Sequence, residues 1–328
     1  MEDLFVKVRS FNPDEDKAIP YYSYSKIDTF KKCPFKFKLV YKDKKRTDTS
    51  DLARDLGTLC HYILELKGNM KKEGLEIDYP ALEDTFIRGK IVEDKYKNND
   101  KSSGTIDGLA TLQKKYFDDY ITPDKFGNLY SSKASLFINK VVHEEMEDPD
   151  WIPVATEMPF DFVYDNRAHF HGFIDRVDKN VNTGEMRVID YKTSKAIFNL
   201  ADTVTSLQFA TYAMAVYSIY GVIPIQYIYR FILIDKAQEA LTKGWEKRAD
   251  KKFTALLDQI QECETTGFWK TCPTPLCYWC DFSTSNPVTN QYSSECLDHS
   301  DWNPIDKFGK HSDNAVSKAV KERGKLIF

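Results

Sequence analysis

No stretch of this sequence offers the roughly 20 unbroken apolar residues that a membrane-spanning helix needs. Its most apolar run, Phe209 to Ile234, is interrupted by Gly221, Pro224, Gln226 and Arg230, and reads as a buried helix followed by a buried strand. A secretion leader is not expected either, because Met1-Glu2-Asp3 is acidic where such a leader is basic; the expectation is a cytoplasmic protein that does not touch membrane. Glycine and proline are sparse, 14 and 13 of 328 residues, which excludes collagen-like and low-complexity chains. An excess of positive charge is missing as well: the formal net charge is -4, so any polyanion must meet a local basic patch. What is present is 42% apolar residues with 14% aromatic, enough to bury one large or two modest cores.

Periodicity divides the chain into an amino-terminal helical part and a mixed part. Residues 1–20 read as a loosely held arm. Ser25 to Tyr41 reads as one helix, with Ser25 as N-cap and Ile27, Phe30, Phe37 and Tyr41 on one face. A second helix is expected from Asp51 to Leu66, closing a segment 21–66. Residues 67–150 read as a helical insertion, with helical stretches from Tyr79 to Tyr96 and from Asp107 to Tyr120. Residues 151–265 form the mixed part. Met158, Phe160, Phe162 and Tyr164 alternate as in a half-buried strand, and His169 to Lys179 and Glu185 to Thr193 are strands joined through Asn182-Thr183-Gly184. A helix from Thr203 to Tyr220, a strand from Ile225 to Asp235 and a helix from Trp245 to Cys263 follow. Residues 266–328 form a cysteine-bearing segment that ends in a helix from Ser312 to Phe328. Strands framed by helices give an α/β core with a mixed central sheet.

The hairpin carries the chemistry. If residues 181–184 are its loop, Asp175 lies opposite Asp190 and Lys192 shares a face with Asp190. Two facing carboxylates repel, and a divalent cation between them relieves the repulsion, since hard oxygen ligands suit Mg²⁺ or Mn²⁺. Metal, paired carboxylates and an ammonium can hydrolyse a phosphodiester. The alternative is an ordinary ion-paired hairpin. The acid-x-Lys triplet alone has no weight, since it recurs at Glu15, Asp43 and Asp250; the apolar lead-in Val188-Ile189 and the facing Asp175 set Asp190-x-Lys192 apart.

Five ordered segments resemble the RecB-type branch of the PD-(D/E)XK nuclease superfamily, which includes CRISPR-associated adaptation nucleases and phage or mitochondrial exonucleases. They are Tyr24-Ser25-Lys26-Ile27-Asp28-Thr29-Phe30-Lys31-Lys32-Cys33-Pro34, Gly57-Thr58-Leu59-Cys60-His61-Tyr62-Ile63-Leu64-Glu65, Gly172-Phe173-Ile174-Asp175-Arg176, Ile189-Asp190-Tyr191-Lys192-Thr193 and Gln208-Phe209-Ala210-Thr211-Tyr212. The resemblance implies a restriction-endonuclease-like fold, divalent metal on His61, Asp175 and Asp190, and Lys192 as catalytic lysine. It also implies that Gln208 and Tyr212 hold the substrate strand or the surroundings of that lysine, with Glu157 an outer metal contact and Glu65 a support of the first helix. The expected activity is Mg²⁺- or Mn²⁺-dependent hydrolysis of DNA, as an exonuclease on ends or single strands. A silent DNA-binding scaffold of the same fold and a structure-specific endonuclease are the alternatives. No Gly-x-x-x-x-Gly-Lys-Ser/Thr phosphate loop occurs, so a helicase or recombination partner would be a separate chain, met at the nucleoid or, for a viral protein, in an infected host cell.

Two further features bear on substrate and cofactor. From Lys31 to Arg46 eight of sixteen residues are basic, including Lys31, Lys32 and Lys36, interleaved with Phe35, Phe37 and Tyr41. The lysines are candidate phosphate contacts and the rings candidate base stackers; the alternatives are a solvated charged face and core aromatics. The seven cysteines are an odd number, and Cys272, Cys277, Cys280 and Cys296 crowd near the carboxyl end, a pattern of metal binding more than of disulfides. In some RecB-type relatives one early and three late cysteines hold a [4Fe-4S] cluster. That resemblance implies Cys33, Cys277 and Cys280 as ligands with either Cys272 or Cys296 as the fourth, Asn286 standing near the family's usual position; zinc and plain thiols stay open.

Overall fold

The computed structural model describes residues 4–45, 52–86, 137–146, 148–194, 197–241, 243–274, 277, 280–282 and 296. The chain divides into two compact units, Met1–Tyr21 with Ala53–Asp250, and Tyr22–Leu52 with Lys251–Phe328.

The first unit is built on one mixed sheet. Its strands are β1 (Val8–Ser10), β3 (Trp151–Tyr164), β4 (Ala168–Asn180), β5 (Met186–Lys192), β6 (Gln226–Phe231) and β7 (Lys236–Glu239), hydrogen-bonded in that order, with the short β2 (Tyr21–Tyr22) off the path on β4. All neighbours are antiparallel except β5 and β6. A parallel step needs a crossover, supplied here by α5 (Leu200–Thr203) and α6 (Leu207–Tyr220). The α/β fold class with a mixed central sheet stands as expected. Phe162, Tyr164, Phe170, Phe209 and Phe231 are fully buried and fill the core beside the sheet. Helix α6 is buried from Leu207 to Val216 except at Gln208, as a helix that is apolar on nearly every face must be. Ser206 caps its start by accepting from the Phe209 amide, and Gly221 ends it at φ 69°, a left-handed cap that costs glycine nothing.

Residues 1–20, read as a loose arm, instead contribute to this unit. Val8–Ser10 pairs with the end of β3, and Leu4 and Phe5 are buried, Phe5 against Tyr217 and Trp245. The apolar residues Leu4 and Phe5 were hidden in the sequence by the charged ones around them. The helix expected over Thr203 to Tyr220 is broken before Ser206, because the serine spends its hydroxyl as a cap. The strand expected to Asp235 stops at Phe231; a tight turn, Ile232–Ile234, and a left-handed Asp235 then reverse the chain into β7.

Helix α3 (Leu52–Lys72) extends beyond the expected Leu66 and lies against β3. Gly68 sets the distance: a Cβ there would lie 2.2 Å from the Thr156 Cγ2, while the Thr156 hydroxyl donates to Asn69 at 2.8 Å. Lys67, on the same helix, is buried and gives its ammonium to the Val142 and Glu144 carbonyls, each at 2.6 Å. Those carbonyls close the helical segment 137–142, where they lack intrahelical partners. Helix α4 (Tyr79–Phe86) follows; the remainder of the stretch expected as helix to Tyr96, the one from Asp107 to Tyr120 and the terminal one from Ser312 lie outside the described residues.

In the second unit, the single helix expected from Ser25 to Tyr41 is two. Helix α1 (Tyr24–Lys32) is capped by Ser23 and not by Ser25, and α2 (Pro34–Phe37) starts afresh with Cys33 as its cap, followed by a wider turn over Lys38–Lys42. Pro34 forces the break, since a residue before proline avoids the helical region and Cys33 sits extended at φ -160°. Helix α7 (Trp245–Thr266) comes last among the described helices, and within the second unit Phe37 stacks on Trp269 with ring centroids 5.7 Å apart.

The Gly68 contact generates a stability prediction. Gly68→Ala gains about 1 kcal/mol of helix propensity but must displace a β-branched side chain, a strain of typically 1–3 kcal/mol; urea denaturation should show net destabilisation. Thr156→Ser removes the clashing methyl and keeps the hydroxyl, so in that background Gly68→Ala should be neutral or stabilising. Equal effects in both backgrounds would show that Gly68 does not set the helix position.

Candidate active site

The sheet register brings three carboxylates level. The β4–β5 ladder pairs Arg176 with Ile189 and Val177 with Val188; one residue further it sets Asp175 against Asp190. On the other side, Thr156 pairs with Arg176 and Met158 with Ile174, so Glu157 stands between them opposite Asp175. Three neighbouring strands each offer one acid at the same height. Glu157 has φ 41°, the left-handed region that a non-glycine residue adopts at a cost. Burial along β3 changes parity there: Pro153 and Ala155 are buried before it, Met158, Phe160 and Phe162 after it.

His61 joins this row from α3. Its Nδ1 lies 3.2 Å from the Glu157 Oε1 and 3.6 Å from the Asp175 Oδ2. His61, Glu157 and Asp175 form the one group of three possible metal ligands found together among the described residues. The spacing suits a small divalent cation: bonds of about 2.1 Å at right angles put neighbouring donor atoms roughly 3 Å apart. The donor set, two carboxylates and an imidazole, is one that Mn²⁺ accepts readily and Mg²⁺ tolerates. The Asp175 Oδ2 also accepts the Tyr191 amide at 2.8 Å, which fixes the carboxylate against β5.

Asp190, the third expected ligand, stands beside this group on β5. Its Oδ1 accepts from the Gln208 amide nitrogen at 2.7 Å and from the Tyr212 hydroxyl at 3.3 Å, and its Oδ2 lies 2.6 Å from the Lys192 Nζ, an ion pair whose angle is not that of a hydrogen bond. Gln208 ties the set together. Its side-chain oxygen accepts from Lys192 at 3.3 Å and from the Tyr229 hydroxyl at 3.5 Å, and its nitrogen also reaches Tyr212 at 3.0 Å. The Lys192 ammonium stands 5.4 Å from the centroid of the Tyr229 ring and 5.9 Å from that of Phe198.

Electrostatics bind the two halves of this row. Burial pushes the Asp175 carboxyl well above the ordinary carboxylate range, and the charge of Asp190 pushes it further. Burial alone would lower the His61 pKa, but the Glu157 hydrogen bond and the charges of Asp175, Glu157 and Asp190 outweigh it and carry the imidazole to about 9. The cluster therefore attracts positive charge strongly, whether as a proton or as a cation. Burial, reinforced by Asp190, keeps the Tyr212 phenol neutral, so it serves as a donor. Glu65, one turn beyond His61, has its pKa raised by burial and by the charge of Glu157.

The structure thus gathers His61, Asp175, Asp190, Lys192, Gln208 and Tyr212 on one unit and makes Glu157 a full member. The sequence offered one local sign of that: a glutamate inside an apolar alternation. Lys31, Lys32 and Lys36 lie in the second unit on α1 and α2; Lys31 is exposed and Lys32 pairs with Asp28 at 2.6 Å. Of the interleaved rings Phe37 is core, whereas Phe35 and Tyr41 are half-buried. Within that same unit Cys33 accepts the Lys36 amide through its sulfur and Cys277 accepts that of Thr274, each at 3.4 Å. Burial first, and then the neighbouring Cys33 and Cys277, raise the Cys272 thiol. Cys280 donates its amide to the Cys277 carbonyl, and Cys296 is buried with its amide on the Phe282 carbonyl. None of the seven cysteines is in a disulfide.

Comparison with known proteins agrees with this geometry. The family model of the PD-(D/E)XK nuclease superfamily matches residues 21–285. One subunit of the ATP-dependent helicase/deoxyribonuclease of Clostridium perfringens is 30% identical over 203 residues, 57% of this chain and 16% of that protein. The proteins of the same name from Clostridium tetani, 27% identical over 205 residues, and Clostridium novyi, 24% over 204, cover the same 57% of this chain and 16% and 17% of their own length. The chain thus spans about one sixth of the curated relatives it matches. With a family match across most of its length and three acids, a histidine and a lysine gathered on its central sheet, this chain belongs to the PD-(D/E)XK nuclease superfamily.

Proposed function

We propose that the protein is a divalent-metal-dependent deoxyribonuclease that acts as an exonuclease on DNA ends or single strands. The observation that carries this reading is the row Glu157, Asp175 and Asp190 across three strands, with His61 at one end and Lys192 at the other. His61, Asp175 and Asp190 would hold Mg²⁺ or Mn²⁺, and Glu157, grouped with His61 and Asp175, stands close enough to join them. When bound, such a cation supplies Lewis acidity toward a phosphoryl oxygen and acidifies water. Lys192 orients the attacking water or stabilises the charge that develops on the phosphate, as a fixed ammonium in a partly buried site can. Gln208 holds Lys192 and Asp190 in one frame, and the Tyr191 amide fixes Asp175.

The relatives are named as helicase/deoxyribonuclease subunits, which supports DNA as substrate and a separate helicase or recombination protein as partner in the cytoplasm. Among the described residues no helix is long and apolar enough to cross a membrane. A [4Fe-4S] cluster on Cys33, Cys272, Cys277 and Cys280 completes the reading. It is supported by Cys33 and Cys277 lying near enough to Cys272 within one unit to act on its thiol. Zinc is less suited, because tetrahedral bonds of 2.3 Å bring sulfurs to about 3.8 Å of one another, and no three thiols among the described residues lie so close.

Digestion of end-labelled linear DNA, single- and double-stranded, with Mg²⁺, Mn²⁺ or EDTA tests the activity. Cleavage should need the metal and fall by at least about 100-fold in Asp190→Ala, Lys192→Ala and Glu157→Ala, the scale on which charge stabilisation acts. A covalently closed single-stranded circle should survive; its cutting would make the protein an endonuclease. Binding without cleavage under every metal would leave a DNA-binding scaffold.

Anaerobic purification tests the cluster. A brown solution with broad absorption near about 400 nm and bound iron is expected, lost in Cys272→Ala and retained in Cys296→Ala. A colourless preparation containing zinc, or none, would remove the cluster, and loss of iron in Cys296→Ala alone would exchange the fourth ligand.

A further inference from the structure

One large apolar side chain beside the site is more than half exposed. Phe173 is 58% exposed in the interior of β4, two residues before Asp175. Among the described residues its ring meets no other aromatic ring, unlike Phe160, Phe162 and Phe170 around it, which stack on one another. From Ala168 to Ile174 the even positions Ala168, Phe170 and Ile174 are fully buried, while His169, His171, Phe173 and then Asp175 alternate on the more open face. Across the ladder Asp161 faces His171 and Pro159 faces Phe173, and both are exposed. Tyr21, itself 57% exposed, sets its ring edge-on to His171 with centroids 5.0 Å apart. The acid on this face is matched, since Asp161 pairs with His169.

We infer that Phe173 is a base-stacking platform for an unpaired nucleotide of a DNA strand whose phosphate lies at the carboxylate row, with His171 and Tyr21 continuing the track away from it. The inference rests on the nuclease reading above and names what that site selects. Two residues of strand put Phe173 about 7 Å from Asp175, within the span of a single nucleotide. An exposed phenyl forfeits the burial that would stabilise it in a core, whereas a stacked base restores that contact without regard to base identity. A paired base keeps its faces covered by its neighbours in the duplex, so the platform favours single strands and frayed ends.

The test measures binding apart from hydrolysis. A single-stranded oligonucleotide containing 2-aminopurine is titrated with the full chain in Ca²⁺, reading anisotropy for affinity and 2-aminopurine fluorescence for stacking. The wild type should quench the probe. Phe173→Ala should abolish the quench and weaken binding by about 5- to 150-fold, the range for loss of one stacked base, while Phe173→Tyr should retain both and blunt duplex should be bound alike by all three. Wild-type quenching that survives in Phe173→Ala, or affinity within about twofold of wild type, would overturn the platform, as would no quenching by the wild type. Failure of the nuclease reading has its own signature, absence of wild-type cleavage in Mg²⁺ and Mn²⁺ with the quench intact.

Discussion

Everything at the centre of this protein answers to the repulsion among Glu157, Asp175 and Asp190. Three acids at one height on neighbouring strands would drive the strands apart unless positive charge is at hand, because facing like charges destabilise a ladder. The chain answers from two sides. His61 enters from α3 against Glu157 and Asp175, and Lys192 rises from the same strand as Asp190 to meet it. Asp175, in the middle, has neither counter-ion to itself, and its pKa is raised by burial and by Asp190 together. A row with this balance calls for positive charge as a consequence of its architecture.

Such a row can persist only if the strands cannot slip. A one-residue shift in an antiparallel ladder exchanges its two faces, and here a second set of charges fixes the register. Asp178 receives Arg176 through two hydrogen bonds, at 2.5 and 3.0 Å, and Arg187 of the facing strand at 2.9 Å; Arg187 continues to Asp148 at 2.6 Å. Asp178 faces Arg187 directly in the ladder, so this buried set is correctly paired in one register alone. Buried ion pairs contribute little net stability and lose much when broken, which makes them better at specifying an alignment than at strengthening it. Arg176 also reaches the Tyr191 hydroxyl at 3.3 Å, and the Tyr191 amide holds Asp175, so one tyrosine links the aligning charges to the reacting ones. Gly172 serves the same end on β4: a Cβ there would press within 2.9 Å of the facing Phe160 ring.

The sequence disclosed what is local and withheld what is not. Alternation and periodicity located β3, β4, β5 and the long helices, and the hairpin loop set Asp175 against Asp190, because register follows from turn length when the strands are regular. Phe5 and Val8 were hidden by short-range composition, since a three-residue strand has too few positions to show a period. The break at Cys33 was legible in principle, as Pro34 is a local signal, yet the apolar spacing across it imitates a continuous helix. Glu157 shows the deeper limit. Its role depends on Thr156 and Met158 pairing with Arg176 and Ile174 of β4 and on α3 docking through Gly68, which lies far back along the chain from Thr156, and nothing near position 157 encodes that docking except an acid out of place.

The division of labour within β4 follows from the same geometry. A strand has two faces, and over Ala168 to Ile174 one of them is wholly spent on the core, which leaves the other free of packing duties along the approach to Asp175. Rigid support and open access are therefore properties of alternate residues of one strand: Phe170 and Ile174 hold the backbone still, while Phe173 between Ile174 and Gly172 is exposed and Asp175, two residues on, enters the half-buried row. Precision at a reacting phosphate depends on such rigidity, because groups carried by a fixed sheet need no reorganisation when charge develops, and a strand that delivers an acid at one position delivers whatever stands two residues away with the same precision. The residue beside the acid is therefore placed as precisely as the acid itself.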